Sequence, residues 1–312
     1  MASTAIAREP AKWPATLVLI PLILAVLLAA WIESNHRPKS NAAEPALQLL
    51  LIDSAQTLQT VYVGIGYDWP PEGPIPAIEL QRLPDDMATL PPDAKKQLFF
   101  QSILPIVLAE NERIAQQRAF VKAQFASGLP RAGSADAKKL KQLAAQYGVK
   151  KTLDDDAARK RLLRRIDTVP AALVLAQAAK ESGWGTSRFA REGNNLFGVW
   201  TWDAEAGLAP REAGDDADHY VRAFPDLRAS VRGYLYNINV GHAYLKLRKL
   251  RAAERAAGAR LEAVQLAGAL ENYSARGMRY VRSIQRMIRN NRLTALRDLN
   301  LRLAPMHLMA RD

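Results

Sequence analysis

Cysteine is absent from the 312 residues, which excludes disulfide scaffolds, thiol nucleophiles, iron–sulfur clusters and cysteine-built zinc sites. A chain without thiols has none to mispair in an oxidising compartment, so the composition permits export without demonstrating it. Histidine is nearly as scarce. His36, His219, His242 and His307 stand apart, no two at metal-ligand spacing, and neither a metal nor an organic cofactor is implied. Acidic side chains are in deficit, 31 against 43 lysines and arginines, for a net charge of +12. What remains is globular material, 49% hydrophobic and 24% charged, which excludes a wholly disordered or collagen-like chain. The length suits one large or two ordinary domains with a real core.

Charge is also missing locally. Between Lys12 and Glu33 the sequence WPATLVLIPLILAVLLAAWI carries none. That run from Trp13 to Ile32 has about the ~20 residues a membrane-crossing helix needs, with Trp13 and Trp31 placed as interfacial rings. It reads as a transmembrane anchor over 13–32 after a short segment, 1–12. A cleaved signal peptide is the competing reading, because Ala42, Ala43 and Ala46 follow, but the run exceeds the usual apolar stretch of about 7–15 residues. Either reading places the remainder outside the cytoplasmic membrane: in the periplasm, on a single-pass inner-membrane anchor, or free after cleavage.

Residues 33–46, with Pro38 and Pro45, read as a linker, and 47–92 as an arm rich in proline from Pro70 to Pro92. Its Ile75, Ile78, Leu80 and Leu83 predict packing on a domain surface; Leu47–Val63 shows no single periodicity. Helical patterns follow at about 93–126, with a kink expected at Pro105, and at 135–147, 154–165 and 170–182. They resume at 227–236, 241–257, 260–270 and 278–292. Between them, Leu196 to Phe224 is rich in Gly, Asp and Pro with strand-like ends. The fold class expected is mainly α, a helical domain over 93–300 with one small β lobe, then a tail over 301–312.

The informative segment is PAALVLAQAAKESGWGTSRFAREGNNLFG, Pro170 to Gly198. Pro170 suits a helix start, and Gly183 and Gly185 stop it. Gln177, Val174 and Leu173 precede Glu181 by four, seven and eight positions, so Glu181 shares the apolar face. Burial and the negative end of the helix both disfavour its ionised form and raise its pKa. A carboxyl kept protonated near neutrality can donate a proton to a glycosidic leaving group. Trp184 could supply an apolar lid and a face for sugar stacking. The plain alternative is a solvated or salt-bridged glutamate at a helix end, with Asn194 and Asn195 as loop residues and Phe197 as core.

The string AQAAKESGWGTSRFAREGNNLFGVW resembles the peptidoglycan glucosaminidases of glycoside hydrolase family seventy-three, in particular their Bax-like branch. The likeness extends from LPDDMATLPPDAKKQLFFQSILPIVLAENERI through NINVGHAYLKLRKLR to ENYSARGMRYVRSIQRMIR, about residues 75–295. It implies a lysozyme-like fold and cleavage of β-1,4 bonds after N-acetylglucosamine, with Glu181 as catalytic acid. It further implies a second carboxylate from the β lobe. Glu212 is the best positional match, with Glu205, Asp215, Asp216 and Asp218 as competitors. Tyr273 and Tyr280 match two tyrosines near the cleft, Tyr280 the one expected to function, and Trp184, Asn194, Asn195, Phe197 and Tyr273 become candidate substrate contacts. Many members carry Tyr-Ala-Thr-Asp where this chain has Tyr273-Ser274-Ala275-Arg276, which leaves no candidate for an aspartate there.

The partners so implied are peptidoglycan strands and, through the N-terminal segment, the inner membrane, with nucleic acid excluded by export. Much of the positive charge lies in the C-terminal helices, where it suits anionic wall carboxylates or lipid, or serves as a solvated face. Muramidase action, lytic transglycosylation and a silent wall-binding scaffold remain the competing functions.

Overall fold

In a computed structural model of the protein, the structure describes residues 45–209 and 220–302. The anchor reading of 13–32 lies outside the described residues, as do 1–12, nearly all of the linker and 303–312. Among the described residues no helix is long and apolar enough to cross a membrane.

The arm begins with strand β1 (Gln48–Leu50) and helix α1 (Ala55–Gly64), which Ser54 caps by accepting the Thr57 amide on its hydroxyl. Strands β2 (Ile75–Pro76) and β3 (Ile78–Leu80) follow, and β1 lies parallel to β3 with Gln48 opposite Ile78. This segment lies deeper than a surface wrapping. Leu58, Tyr62, Ile75, Ile78, Leu80 and Met87 are each 2% exposed or less and join the same apolar cluster as the later helices. Proline excludes long helices here but leaves the apolar side chains free to be buried.

Helix α2 (Pro92–Ala126) opens with proline in its first turn and runs on through Pro105. Helices α3 (Ala135–Gln146) and α4 (Asp156–Arg165) are capped by Ser134 and Asp155. Next comes α5 (Ala171–Ser182), buried without a break from Ala172 to Ala179. It is wrapped on all sides rather than along one stripe. A short α6 (Arg188–Gly193), capped by Ser187, was not visible in the periodicity. Strands β4 (Trp200–Thr201), β5 (Gly207–Leu208) and β6 (Tyr220–Arg222) form the β lobe, antiparallel in the order β4–β6–β5.

Helix α7 (Leu227–Val240) outlasts its expected end at 236, and α8 (Leu245–Ala256) follows. The expected helix at 260–270 shrinks to α9 (Ala263–Ala267), before α10 (Met278–Asn290). Helices α2, α9 and α10 pack against α5. Strand β7 (Leu301–Arg302), at the start of the expected tail, pairs in parallel with β2, joining the end of the domain to the arm. The described residues are mainly helical with a small β lobe, consistent with a lysozyme-like domain.

Two buried carboxylates tie helices together. Glu110 on α2, fully enclosed, accepts from Arg113, from Arg228 and Arg232 of α7 at 2.8 Å each. Asp167 lies between Arg255 at 3.1 Å and Arg118 and Arg251 at 3.6 Å.

Candidate active site

Glu181 stands in the last turn of α5, and the next three residues make an unusual turn. Gly183, Trp184 and Gly185 all have positive φ, 58°, 62° and 79°. Glycine takes that region freely, whereas tryptophan does so only when its surroundings hold it. Two contacts do so. The Ser182 hydroxyl donates to the Ala178 carbonyl at 2.6 Å and accepts the Gly185 amide at 2.9 Å. The Trp184 ring meets Phe100 and Phe99 of α2 edge-on, with centroids 5.2 and 6.0 Å apart. The half-buried indole thus anchors the helix end to α2.

The Glu181 side chain is half-buried, and its Oε1 is enclosed without a hydrogen-bond partner. Burial pushes its carboxyl above the usual carboxylate range, against the opposing pull of the Tyr280 hydroxyl, Lys180 and Arg276. Behind it runs an oriented chain. The Tyr234 hydroxyl on α7 donates to Gln177 Oε1 at 2.5 Å, and Gln177 Nε2 donates to the Tyr280 hydroxyl oxygen at 2.9 Å. An amide that accepts at one end and donates at the other fixes the direction of the series. The Tyr280 oxygen is occupied as an acceptor, so its proton is left to face Glu181. Burial and the neighbouring Glu181 charge push the Tyr280 phenol far upward, which keeps it a donor.

The remaining aromatics brace this arrangement. Tyr273 stacks on Tyr280, centroids 5.1 Å apart and 11° from parallel, and its hydroxyl donates to the Phe197 carbonyl at 3.1 Å. Phe197 stacks on Tyr234 at 4.1 Å. Three of the candidate substrate contacts, Phe197, Asn195 and Asn194, lie buried within this arrangement. Phe197 is 3% exposed and Asn195 2%. Asn195 spends its amide on the Val199 and Arg222 carbonyls, both at 2.8 Å, and its oxygen on the Phe197 and Val199 amides. Asn194 caps α6 with φ 51° and donates to the Phe224 carbonyl. Apart from Asn194 Oδ1, which is buried without a hydrogen-bond partner, their polar groups hold the β lobe to the body. Glu212, Asp215, Asp216 and Asp218 lie outside the described residues; Glu205 is exposed in the turn between β4 and β5.

Gln177 and Tyr234 were missed as functional residues. Gln177 was visible on the apolar face, and a tyrosine on the buried face of α7 needs a hydroxyl partner, but nothing local named it. Beside Tyr280 a cleft of about 420 Å³ opens, lined by Lys180, Arg276, Arg279, Tyr280, Ser283 and Arg286. Among the described residues no cluster of three or more acidic or histidine side chains could hold a metal ion.

A protonatable carboxyl, shielded by burial and addressed by one phenol at the end of a buried helix, belongs to the acid-bearing sites of glycoside hydrolases. The family model for glucosaminidase, described as mannosyl-glycoprotein endo-beta-N-acetylglucosaminidase, matches residues 157–293, a span that holds Glu181, Gln177, Tyr234 and Tyr280. The chain is also 31% identical over 218 residues to Protein bax of Escherichia coli (strain K12), across 69% of this chain and 73% of that protein. The chain belongs to the glucosaminidase family. Membership supports a glycoside hydrolase and, in general terms, one that acts on peptidoglycan. No solved structure matches.

Proposed function

We propose that the protein is a peptidoglycan hydrolase that cleaves β-1,4 bonds after N-acetylglucosamine, with Glu181 as the general acid. The observation that carries this reading is the Glu181 carboxyl itself, raised by burial, with one enclosed oxygen unpartnered and the Tyr280 hydroxyl facing it. In its protonated form, which burial favours, this carboxyl donates its proton to the glycosidic oxygen as the bond breaks through an oxocarbenium-like state. Tyr280 then stabilises the carboxylate left behind, because its phenol proton is free to donate to the new charge. Gln177 and Tyr234 hold Tyr280 in that orientation and are positioning residues. Water is delivered either by a carboxylate of the β lobe, Glu212 being the positional match, or after attack by the substrate's own acetamido group. The anomeric form of the first product separates these routes.

The uncharged run at 13–32 supports a location at the inner membrane with the domain in the periplasm, or in the periplasm alone after cleavage. The test uses the full chain in detergent on peptidoglycan sacculi. Wild type is expected to release fragments with reducing N-acetylglucosamine, read by mass spectrometry, and Glu181→Gln to lower the rate at least about 100-fold. Fragments ending in reducing N-acetylmuramic acid would make it a muramidase, and anhydro ends a lytic transglycosylase. If wild type and Glu181→Gln are equally inert, the protein is a wall-binding scaffold.

A further inference from the structure

The cleft beside Tyr280 is built from two elements that meet at the reacting carboxyl. Helix α5 contributes Lys180, the neighbour of Glu181, the loop before α10 contributes Arg276, and α10 itself contributes Arg279 and Arg286 around Ser283. Arg279 and Arg286 are two helical turns apart on one face, with Ser283 between them. None of these four cations forms an ion pair among the described residues. The contrast within the same chain is sharp, since Arg113, Arg228, Arg232, Arg251 and Arg255 all have carboxylate partners. Four like charges held around one concavity repel one another and favour an anion between them. Tyr280 lines this cleft and also faces Glu181, and Lys180 and Arg276 both act on the Glu181 carboxyl, so an anion seated here lies beside the bond being broken.

Resting on the proposed peptidoglycan hydrolase reading, we propose that this cleft is a carboxylate-binding subsite that seats an anionic substituent of the glycan next to the scissile bond. Alternate sugars of such a strand carry a lactyl ether, whose carboxyl is either free or joined to a short peptide with carboxylates of its own. A guanidinium fork matches a carboxylate in two hydrogen bonds, and the serine hydroxyl between the arginines adds a donor. The enzyme is thereby selective for carboxylate-bearing strands over an uncharged chain of N-acetylglucosamine.

The experiment compares the full-length protein in detergent on native sacculi and on sacculi whose carboxyls have been converted to methylamides. Wild-type kcat/KM is expected to be about tenfold higher on the native material, the size of two screened ion pairs, and the ratio to fall as salt rises. In Arg279→Gln/Arg286→Gln the ratio is expected to drop to about 1. Arg279→Lys/Arg286→Lys retains most of it. Arg282→Gln/Arg289→Gln removes the same charge from the same helix outside the cleft and keeps the wild-type ratio. All four substituted arginines are exposed, and thermal unfolding checks that each variant is folded. A third substrate, sacculi stripped of peptides by an amidase, keeps only the lactyl carboxylate: a native-like rate assigns that group to the cleft, and a methylamide-like rate assigns the peptide. Equal wild-type rates on native and methylamidated sacculi would overturn the inference and leave the hydrolase reading intact. So would a ratio lost equally in Arg282→Gln/Arg289→Gln, which would mark bulk charge. Failure of wild type to cut native sacculi overturns the hydrolase reading itself.

Discussion

Glu181 is held between two opposed influences: burial favours its neutral form, and the Tyr280 hydroxyl, Lys180 and Arg276 favour its charge. Removing the phenol therefore has a defined sign. Tyr280→Phe takes away a donor to the carboxylate, so the carboxyl titrates at still higher pH and the protonated acid persists further. The alkaline limb of the kcat/KM profile is expected to move to higher pH, while the plateau falls about tenfold because the product carboxylate loses its hydrogen bond. Gln177→Leu is expected to move the limb the same way, since it frees the Tyr280 proton to turn elsewhere. A profile unchanged in position would separate Tyr280 from Glu181. The place of Glu181 at the end of a buried helix was legible in the sequence, because its spacing from Gln177, Val174 and Leu173 is local to one helix. The chain that orients it was not, because Tyr234 and Tyr280 lie 57 and 103 residues from Gln177 and meet it only in the folded state.

The turn that ends α5 carries the site at the level of the element. Gly185 has φ 79°, and a Cβ there would run into Leu83 Cδ1 of the arm and press on Phe99 of α2. Gly185→Ala is expected to cost about 2–4 kcal/mol, from left-handed strain plus overpacking, seen as a lower midpoint in urea. Combining it with Leu83→Ala should recover part of the loss, a non-additivity that two independent defects would not show. Gly183→Ala is milder, about 1 kcal/mol, because its Cβ would meet nothing nearer than Thr186 Oγ1 at 3.5 Å. The two glycines read alike in sequence, as helix stops. Only the approach of the arm from a hundred residues upstream distinguishes them.

For the whole molecule, the buried Glu110 cluster ties α2 to α7 across more than a hundred residues of sequence. Burial alone would raise this carboxyl, but the Arg232, Arg113 and Arg228 guanidiniums overcome it and hold the group down to about 2. A carboxylate lowered by folding stabilises the native state above its unfolded value, and that contribution is lost as pH falls through about 2. Glu110→Gln strands three arginines and is expected to cost about 3–5 kcal/mol at pH 7. The deficit relative to wild type should narrow progressively in unfolding curves taken below pH 4 or so, where the carboxyl of the unfolded chain takes up a proton while the folded one, held down to about 2, stays ionised. A deficit constant from pH 7 to 2 would assign the cost to packing instead.

The sequence by itself determined the long-period features: the mainly helical body, the β lobe between α6 and α7, the stop after α5 and the placement of Glu181 at its end. Each depends on neighbours within a few residues, through hydrophobic spacing, caps and glycine. Tertiary structure decided what depends on distant partners. It drew the proline-rich arm into the core, turned Asn195 and Phe197 inward as braces, joined Gln177 to two tyrosines, and set Lys180 beside Arg279 and Arg286 of α10 and Arg276 of the loop before it. Burial and charge are properties of the assembled surroundings of a side chain, and those surroundings exist only once the segments have packed.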